Sequence, residues 1–431
     1  MNKLTLVNFR RFEELSLSFA PGMNVLAGQN GAGKTTVLDA LAMGLADRLR
    51  PLHPGGNESS FLKWRIGDRD VRRAPIEAGE VLMSEPQYPA RIEMEMLLFG
   101  ERKTSGPAVR KAETGPLFGG PGHAIPFLDT TDVALWAVQD GFDITLPLVA
   151  YYGTNRAWHG ETEKPLARER QSRLAGYEGC LAPSVDLTAM RDWWKRMELL
   201  AFQDGQTPAV LEASKEAVVR CLDGFDLVRY DARLEDLAAR LTATGLLLGF
   251  EQLSDGQRNL LGMVADMAYR AGTLNPHLGK DVLDRTPGVV LIDELDLHLH
   301  PRLQRHIVGD LKRVFPSIQF ICTTHSPQII GELPREEVSL LREDGAVRPT
   351  VALGADSNWI LKHVMEGATA ETARARELQD AAEDALIEGD LTRARDKLSE
   401  LRRLLDGETG ELSRLEGSLG SLEALARDGE P

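Results

Sequence analysis

The sequence has little of what holds small secreted proteins together. Three cysteines, Cys180, Cys221 and Cys322, lie far apart in 431 residues without a CxxC pair. That excludes a disulfide framework and a cysteine zinc site, and predicts a reducing, cytoplasmic setting. No apolar run approaches the roughly 18 residues that a membrane span needs, and the opening MNKLTLVNFRRF lacks the continuous apolar stretch of a signal peptide. No membrane partner is expected. A basic excess is missing too: 65 Asp and Glu against 50 Lys and Arg leave a formal charge of −15. General coating of nucleic acid is therefore excluded, while a local basic surface stays compatible with the charge. There is no internal repeat and no sustained heptad, which rules out solenoids and long coiled-coil arms. What remains, 42% hydrophobic and 27% charged residues, is the composition of a globular chain with material for one elaborated domain or two to three smaller ones.

Apolar and polar residues alternate over 3–7 and 16–20 around Asn8-Phe9-Arg10-Arg11, predicting two short strands joined by a polar turn. A third strand, Met23 to Ala27, runs into GQNGAGKTT and then into TVLDALAMGLADRL, where Val37, Leu38, Leu41, Ala42 and Leu45 recur at helical spacing. From about 51 to 145, short alternating runs such as YPARIEMEMLLF are broken by the Gly/Pro-rich stretch Gly106 to Gly122. This predicts a β-rich insertion with one long loop. LPLVAYY at 146–152 is a further strand, and 157–222 reads as a helical insertion whose clearest member, DLTAMRDWWKRMELLAF, is opened by Asp186 or Thr188. A strand-rich stretch, FDLVRYDARLEDLAARLTATGLLLGF, then precedes LSDGQRNLLGMVADMAYRA, which carries a buried helical face. Two apolar strands follow, GVVLI at 288–292 and IQFIC at 318–322. Such alternation predicts an α/β fold with strands buried on both faces. Beyond about Gly367 the chain turns Ala/Leu/Glu/Arg-rich, with Glu388-Gly389-Asp390 between two amphipathic runs, as in a helical hairpin capped by Asp390. The expected organisation is a head over 1–366, carrying the two insertions, and a helical appendage over 367–431.

Gly28-Gln29-Asn30-Gly31-Ala32-Gly33-Lys34-Thr35-Thr36 satisfies GxxxxGK[ST] between a strand and a helix, the context that makes it a P-loop. Its glycines let backbone N–H groups wrap phosphate oxygens at a helix N-terminus. Lys34 is expected at the β- and γ-phosphates of ATP and Thr35 on Mg²⁺. Val289 to Ile292 deliver Asp293 and Glu294 to a strand's C-terminal end, where open α/β sheets bind ligands. Asp293 is the expected second Mg²⁺ ligand and Glu294 the residue that orients or deprotonates the attacking water.

Leu253-Ser254-Asp255-Gly256-Gln257, before a helix, resembles the LSGGQ segment of ATP-binding-cassette (ABC) ATPases, with Asp255 replacing one glycine. In that family Ser254, Gly256 and Gln257 would face the γ-phosphate on an opposite subunit, implying a homodimer or higher oligomer of ATP-sandwiched heads. His325, in TTHSP after IQFIC, matches the family's γ-phosphate-sensing histidine. P-loop, LSDGQ, Asp293-Glu294 and His325 occur in the family's order and span most of residues 1–330. The fold implied is that of an ABC-ATPase head among the P-loop NTPases, with β-rich and helical insertions and a C-terminal helical hairpin.

Within the family, LTLVNFRRF followed by GQNGAGKTT is similar to the RecF, SMC and OLD branch, whose NFR arginine, here Arg10, commonly approaches the nucleotide. Arg11 is the alternative. About 220 residues between Lys34 and Ser254 also favour that branch over transporter cassettes. Asp293 to Pro301 resembles the DEPExHLHP form of OLD-like ATPases; His298 and His300 are read as structural rather than metal-binding, and His300 stands where many cassettes carry an interface aspartate. No glutamine loop is evident, and Ala150-Tyr151-Tyr152-Gly153-Thr154-Asn155-Arg156 is the candidate for its place, an ordinary strand end being the alternative.

With YYGTNR, the segment Asp356 to Met365 and the helical tail, the chain looks most like stand-alone ATPases of Septu-type and retron-associated antiphage systems, where an HNH nuclease partner cuts. Only about 100 residues follow His325, so an in-chain TOPRIM nuclease is not expected. Lys63, Trp64, Arg65, Arg69, Arg72, Arg73, Arg102, Lys103, Arg110 and Lys111 are candidates for DNA contact, a solvated charged face interleaved with acidic residues being the alternative. Two other functions stay open: a RecF-like DNA-repair clamp, and a nucleotide-held scaffold with little turnover.

Overall fold

A computed structural model describes residues 1–52, 64–78, 81–98, 101–109, 130–154, 172–182, 187–342, 345–355, 357–363, 365, 373–404 and 410–428. The chain divides into two units, Met1–Ile360 and Leu361–Pro431.

The first unit opens with β1 (Lys3–Phe9), β2 (Phe12–Ser18) and β3 (Met23–Ala27), then α1 (Lys34–Leu49). The turn between β1 and β2 is tight, with both Asn8 and Arg10 at φ 49°, so β2 starts at Phe12 rather than at 16. β4 (Arg73–Ala78) and β5 (Val81–Pro86) form a hairpin, followed by β6 (Ala90–Leu98), β7 (Glu101–Ser105) and β8 (Ala108–Val109). β4 and β5 form a two-stranded sheet of their own, but β6, β7 and β8 do not make a separate insertion. β6 pairs antiparallel with β1, Lys3 opposite Glu95 and Val7 opposite Arg91, giving the sheet order β2-β1-β6-β7 with β8 on β6. The alternation correctly marks strands here, but it carries no information on which distant strand each one joins. Thr130–Gln139, inside the stretch expected to be β-rich, is a helix, α2. The glycine-rich stretch expected as a loop lies largely outside the described residues.

Next come β9 (Leu148–Tyr152), α3 (Leu187–Asp204), α4 (Ala209–Cys221), the antiparallel β10 (Phe225–Asp231), β11 (Asp236–Leu241) and β12 (Leu247–Gly249), and α5 (Asp255–Leu274). Thr188 lies inside α3 and Asp186 outside the described residues. β13 (Gly288–Ile292), α6 (Pro301–Val314), β14 (Ile318–Thr323), α7 (Pro327–Gly331), β15 (Val338–Arg342), β16 (Gly345–Val347) and α8 (Ser357–His363) complete the order.

The central sheet runs β16-β15-β3-β14-β13-β9. Its five long strands are parallel and β16 closes one edge antiparallel. β3 and β9 are buried at every position, as expected of strands covered on both faces. α1 is buried nearly all round, because it packs against β6 of the antiparallel sheet and against β13 and β14 of the parallel one. Gly44, mid-helix, is where β6 comes closest: a Cβ there would lie 2.1 Å from Met94 Cε. Since β3, β14 and β13 are neighbours, the loops after their C-terminal ends are brought together. Those loops carry the P-loop, His325 and Asp293-Glu294.

In the second unit α9 (Ala373–Glu388) and α10 (Leu391–Leu404) form the hairpin expected across Glu388-Gly389-Asp390. Gly389 sits at φ 76°, and Asp390 caps α10 by accepting the Arg393 N–H at 3.0 Å. A third helix, α11 (Gly410–Asp428), contributes Leu412, Leu415 and Leu419 to their alanine and leucine core. Among the described residues no helix is long and apolar enough to cross a membrane.

Candidate functional site

The loop after β3 needs backbone shapes that side chains resist: Gly28, Gly31 and Gly33 have φ of 149°, 79° and 96°. A Cβ on Gly28 would also stand 2.6 Å from Leu341 O, and one on Gly33 2.5 Å from the Phe12 ring. The glycines therefore answer steric requirements as well as the need for exposed N–H groups. Lys34 folds back so that Nζ donates to the carbonyls of Gly28 and Gln29, both at 2.9 Å, and Ala32 N donates to Gln29 O at 3.1 Å. Burial pulls the lysine's pKa down, opposed by the carboxylates of Asp293, Glu294 and Asp296. A partly desolvated ammonium at a helix N-terminus attracts phosphate strongly, and the nearby carboxylates leave room for a divalent cation to offset their charge.

Thr35, at the start of α1, donates its hydroxyl to Asp293 Oδ2 at 2.9 Å. The other oxygen, Oδ1, accepts from Thr323 Oγ1 at 2.6 Å, and that hydroxyl accepts the Glu294 N–H at 2.7 Å. Asp293 is 3% exposed, and its own N–H donates to Tyr152 O. Glu294 follows at φ 51°, an uncommon backbone for a residue with a side chain, at the strand's exit. Thr35 and Asp293 offer two hard oxygen donors side by side, a set suited to Mg²⁺, which takes one or two protein ligands with water and phosphate completing its shell. Among the described residues no cluster of three or more His, Cys, Asp or Glu is arranged for a metal.

His325 is half-buried beyond β14. Burial, then the charge of Lys34, holds its pKa below the ordinary value, opposed by Asp296, Glu294 and Asp293. The structure thus brings Lys34, Thr35, Asp293, Glu294 and His325 to one sheet edge. Ser254 belongs to a different element. It caps α5 in a reciprocal pair, its hydroxyl accepting the Gln257 N–H at 3.4 Å and its own N–H donating to Gln257 Oε1 at 3.1 Å. Asp255 pairs with Arg258, which also reaches Glu251 at 2.8 Å. Gly256 is pressed against the loop after β13: a Cβ would lie 2.5 Å from His298 O. His298 has φ 60°, and His300 caps α6 by accepting the Arg302 N–H at Nδ1.

Arg10 is spoken for. Its guanidinium donates to Asp39 Oδ2 at 2.6 Å and to Asp70 Oδ1 at 2.9 Å. Although burial works against its charge, these two carboxylates raise its pKa. Arg11 instead crosses the P-loop, its Cδ 2.9 Å from where a Gly33 Cβ would be. Tyr151 donates to Asp39 Oδ1 at 3.3 Å, and Tyr152 to Asp266 Oδ2 at 2.7 Å. These are the contacts of the segment considered for a glutamine loop, whose Asn155 and Arg156 lie outside the described residues. Sequence reasoning missed Asp39, Asp70, Asp296, Thr323 and Thr324. Only Asp39, one helical turn after Thr35, carries a signal that spacing alone exposes.

Of the residues expected to grip DNA, Trp64 is a core residue. It is 6% exposed, its Nε1–H donates to Leu181 O at 2.9 Å, and its ring meets Tyr151 edge-on. Arg72 pairs with Glu13, and Arg73 donates to Ser84 O. Arg102 and Lys103 are on β7, while Lys63, Arg110 and Lys111 lie outside the described residues.

Residues 3–95 match the family described as "AAA domain", and residues 244–331 the family described as "AAA domain, putative AbiEii toxin, Type IV TA system". The "Retron Ec83 probable ATPase" of Escherichia coli is 26% identical over 414 residues, covering 84% of this chain and 75% of that protein. The "Septu protein PtuA" of Bacillus thuringiensis is 22% identical over 350 residues, covering 80% and 73%. The "DNA replication and repair protein RecF" of Listeria welshimeri is 33% identical over 85 residues, 20% of this chain and 22% of that one. Together with the order of strand, P-loop, Ser254-capped turn and strand-borne carboxylates, these relationships make the chain a P-loop ATPase similar to the retron and Septu ATPases and, over part of its length, to RecF.

Proposed function

We propose that the chain is the ATPase component of an antiphage system, a switch that closes head to tail on ATP and controls a partner nuclease, of HNH type. The observation that carries this reading is the split site. Lys34, Thr35, Asp293, Glu294 and His325 share one sheet edge, whereas the hydrogen bonds of Ser254 and Gln257 stay within their own exposed turn. The extended similarity to retron and Septu ATPases supports the defence role.

In this mechanism the loop N–H groups of Gln29 to Lys34 and the Lys34 ammonium bind the β- and γ-phosphates, flanked by Thr35 and Thr36. Thr35 and Asp293 would hold Mg²⁺, whose charge offsets that of the phosphates. Glu294 accepts the proton of the attacking water as its oxygen bonds to the γ-phosphorus, and ADP leaves. His325 hydrogen-bonds the γ-phosphate. A second copy presents Ser254, Gly256 and Gln257 to the same phosphate, which makes closure depend on ATP and release depend on hydrolysis. Arg10 supports α1 from behind, and Arg11 is the arginine placed to meet nucleotide.

ATP turnover and mass in solution, measured for the wild type and Glu294→Gln with and without DNA, test this. Glu294→Gln should lose about 10²–10⁴-fold in turnover and accumulate as an ATP-bound dimer; rapid hydrolysis by that variant removes Glu294 from its role. Turnover stimulated by DNA without a nuclease would favour the repair clamp.

A further inference from the structure

Two adjacent hydroxyls at the end of β14 hold two carboxylates from the loop after β13. Thr323 holds Asp293 and, through the Glu294 N–H, the start of that loop. Thr324 donates to Asp296 Oδ1, and the same oxygen accepts the backbone N–H of His325 at 3.3 Å. Both threonines are fully buried. The clamp continues past the histidine: Ser326 N donates to Thr324 Oγ1 at 3.0 Å, and Ser326 Oγ donates to Gln304 and caps α7. His325 is therefore set in place by the residues on either side of it, and Asp296 is the only carboxylate bonded to its backbone among the described residues.

Asp296 also lies two residues before His298, whose carbonyl packs on Gly256 of the signature turn. Leu297 O, between them, accepts from Asn259 of α5 at 3.5 Å. One short loop thus touches the histidine at one end and the signature helix at the other. A hydrogen bond to a charged acceptor inside a protein is stronger and more directional than one in water.

Resting on the reading above, we infer that Asp296 and Thr324 are positioning residues for His325, required for hydrolysis and dispensable for nucleotide binding. They tie the γ-phosphate sensor to the loop that abuts the signature helix of the same subunit. The hydrogen bonds of Lys34 and Thr35 involve neither residue, so affinity and turnover should separate, most cleanly in Thr324→Val, which leaves the Asp296 charge near Lys34 in place.

The test compares Thr324→Val, Thr324→Ser and Asp296→Asn with the wild type in the full-length protein, reading ATP affinity by fluorescent-nucleotide titration and turnover by phosphate release. Thr324→Val keeps the shape and removes the hydroxyl. It should hold affinity within about threefold and lose about tenfold or more in turnover, as expected when an interaction specific to the transition state is weakened. Thr324→Ser should restore most of that loss. Asp296→Asn, which keeps the shape and removes the charge, should show the same split and serves if Thr324→Val does not fold. Equal losses in affinity and turnover, wild-type turnover in both Thr324→Val and Asp296→Asn, or a serine variant no better than valine would overturn the inference. Glu294→Gln is run alongside: active Glu294→Gln sinks the site reading itself, whereas inactive Glu294→Gln with active Thr324→Val sinks only the inference drawn from Asp296.

Discussion

Replacing Arg270 by methionine should destabilise the protein by about 3–5 kcal/mol. Arg270 and Asp266 lie one turn apart on α5, 5% and 1% exposed, with Nε 2.8 Å from Oδ2. Nη1 also donates to the carbonyls of Gly176 and Glu178, both at 2.9 Å. At that separation, and an effective dielectric of about 20, the attraction is roughly 6 kcal/mol. The several kcal/mol needed to take each ion out of water cancel most of it. The intact pair is thus close to neutral, but removing only the cation leaves a carboxylate buried beside a Tyr152 hydroxyl, with Asp266 Oδ1 already unbonded. Urea unfolding reports this through Trp193 and Trp194, since Trp193 meets Tyr269 of α5 edge-on at 6.0 Å. Adding Asp266→Leu to Arg270→Met should recover most of the loss. A loss under about 1 kcal/mol would refute the reasoning.

Lys34→Ala should weaken ATP binding by about a hundredfold or more, since charge-assisted bonds to phosphate are lost; unchanged hydrolysis would overturn the P-loop assignment. The same variant should raise the pKa of His325, because the lysine's positive charge helps to hold it down, and a histidine NMR titration of nucleotide-free protein that shows no upward movement would contradict the placement. Gly256→Ala should lower stability by about 1–3 kcal/mol by overpacking, since the new methyl meets the backbone carbonyl of His298 rather than a yielding side chain. A thermal melt without nucleotide that is unchanged or raised would mean that the signature turn and the loop after β13 are not in contact.

The nucleotide half of the site was legible because its demands are local. Glycines at Gly28, Gly31 and Gly33 are needed for positive φ, Lys34 and Thr35 follow at once, and Asp293-Glu294 end an apolar strand. Ser254 and Gln257 form the reciprocal cap that their spacing suggests. What eluded the sequence was long-range. β6 looks like a strand wherever it pairs, and nothing in YPARIEMEMLLF names β1 as its partner. Arg10 is the instructive case: its motif pointed at nucleotide, but the pull of two carboxylates, Asp39 and Asp70, decides where its guanidinium goes. Thr323 and Thr324 were in view as part of TTHSP, yet their hydroxyls matter only because β13 and β14 are neighbours. The third helix of the tail was missed although Leu412, Leu415, Leu419 and Leu422 recur at helical spacing, because the glycines and serines between them read as breakers.

The double pairing of Arg10 has a mechanical meaning. Asp39 belongs to the helix that begins at the P-loop, Asp70 to the segment leading into β4, and Arg10 to the turn between β1 and β2. Three stretches of chain distant in sequence are pinned at one guanidinium, so the antiparallel sheet and α1 are set to shift as one body. A molecule that grips the far face of that sheet and favours one position of it will change the affinity for ATP by the same factor by which ATP changes its own. The antiparallel sheet, which meets the P-loop at Arg11 and Phe12, is then a handle as well as a cover for α1, able to read the nucleotide state and to write it.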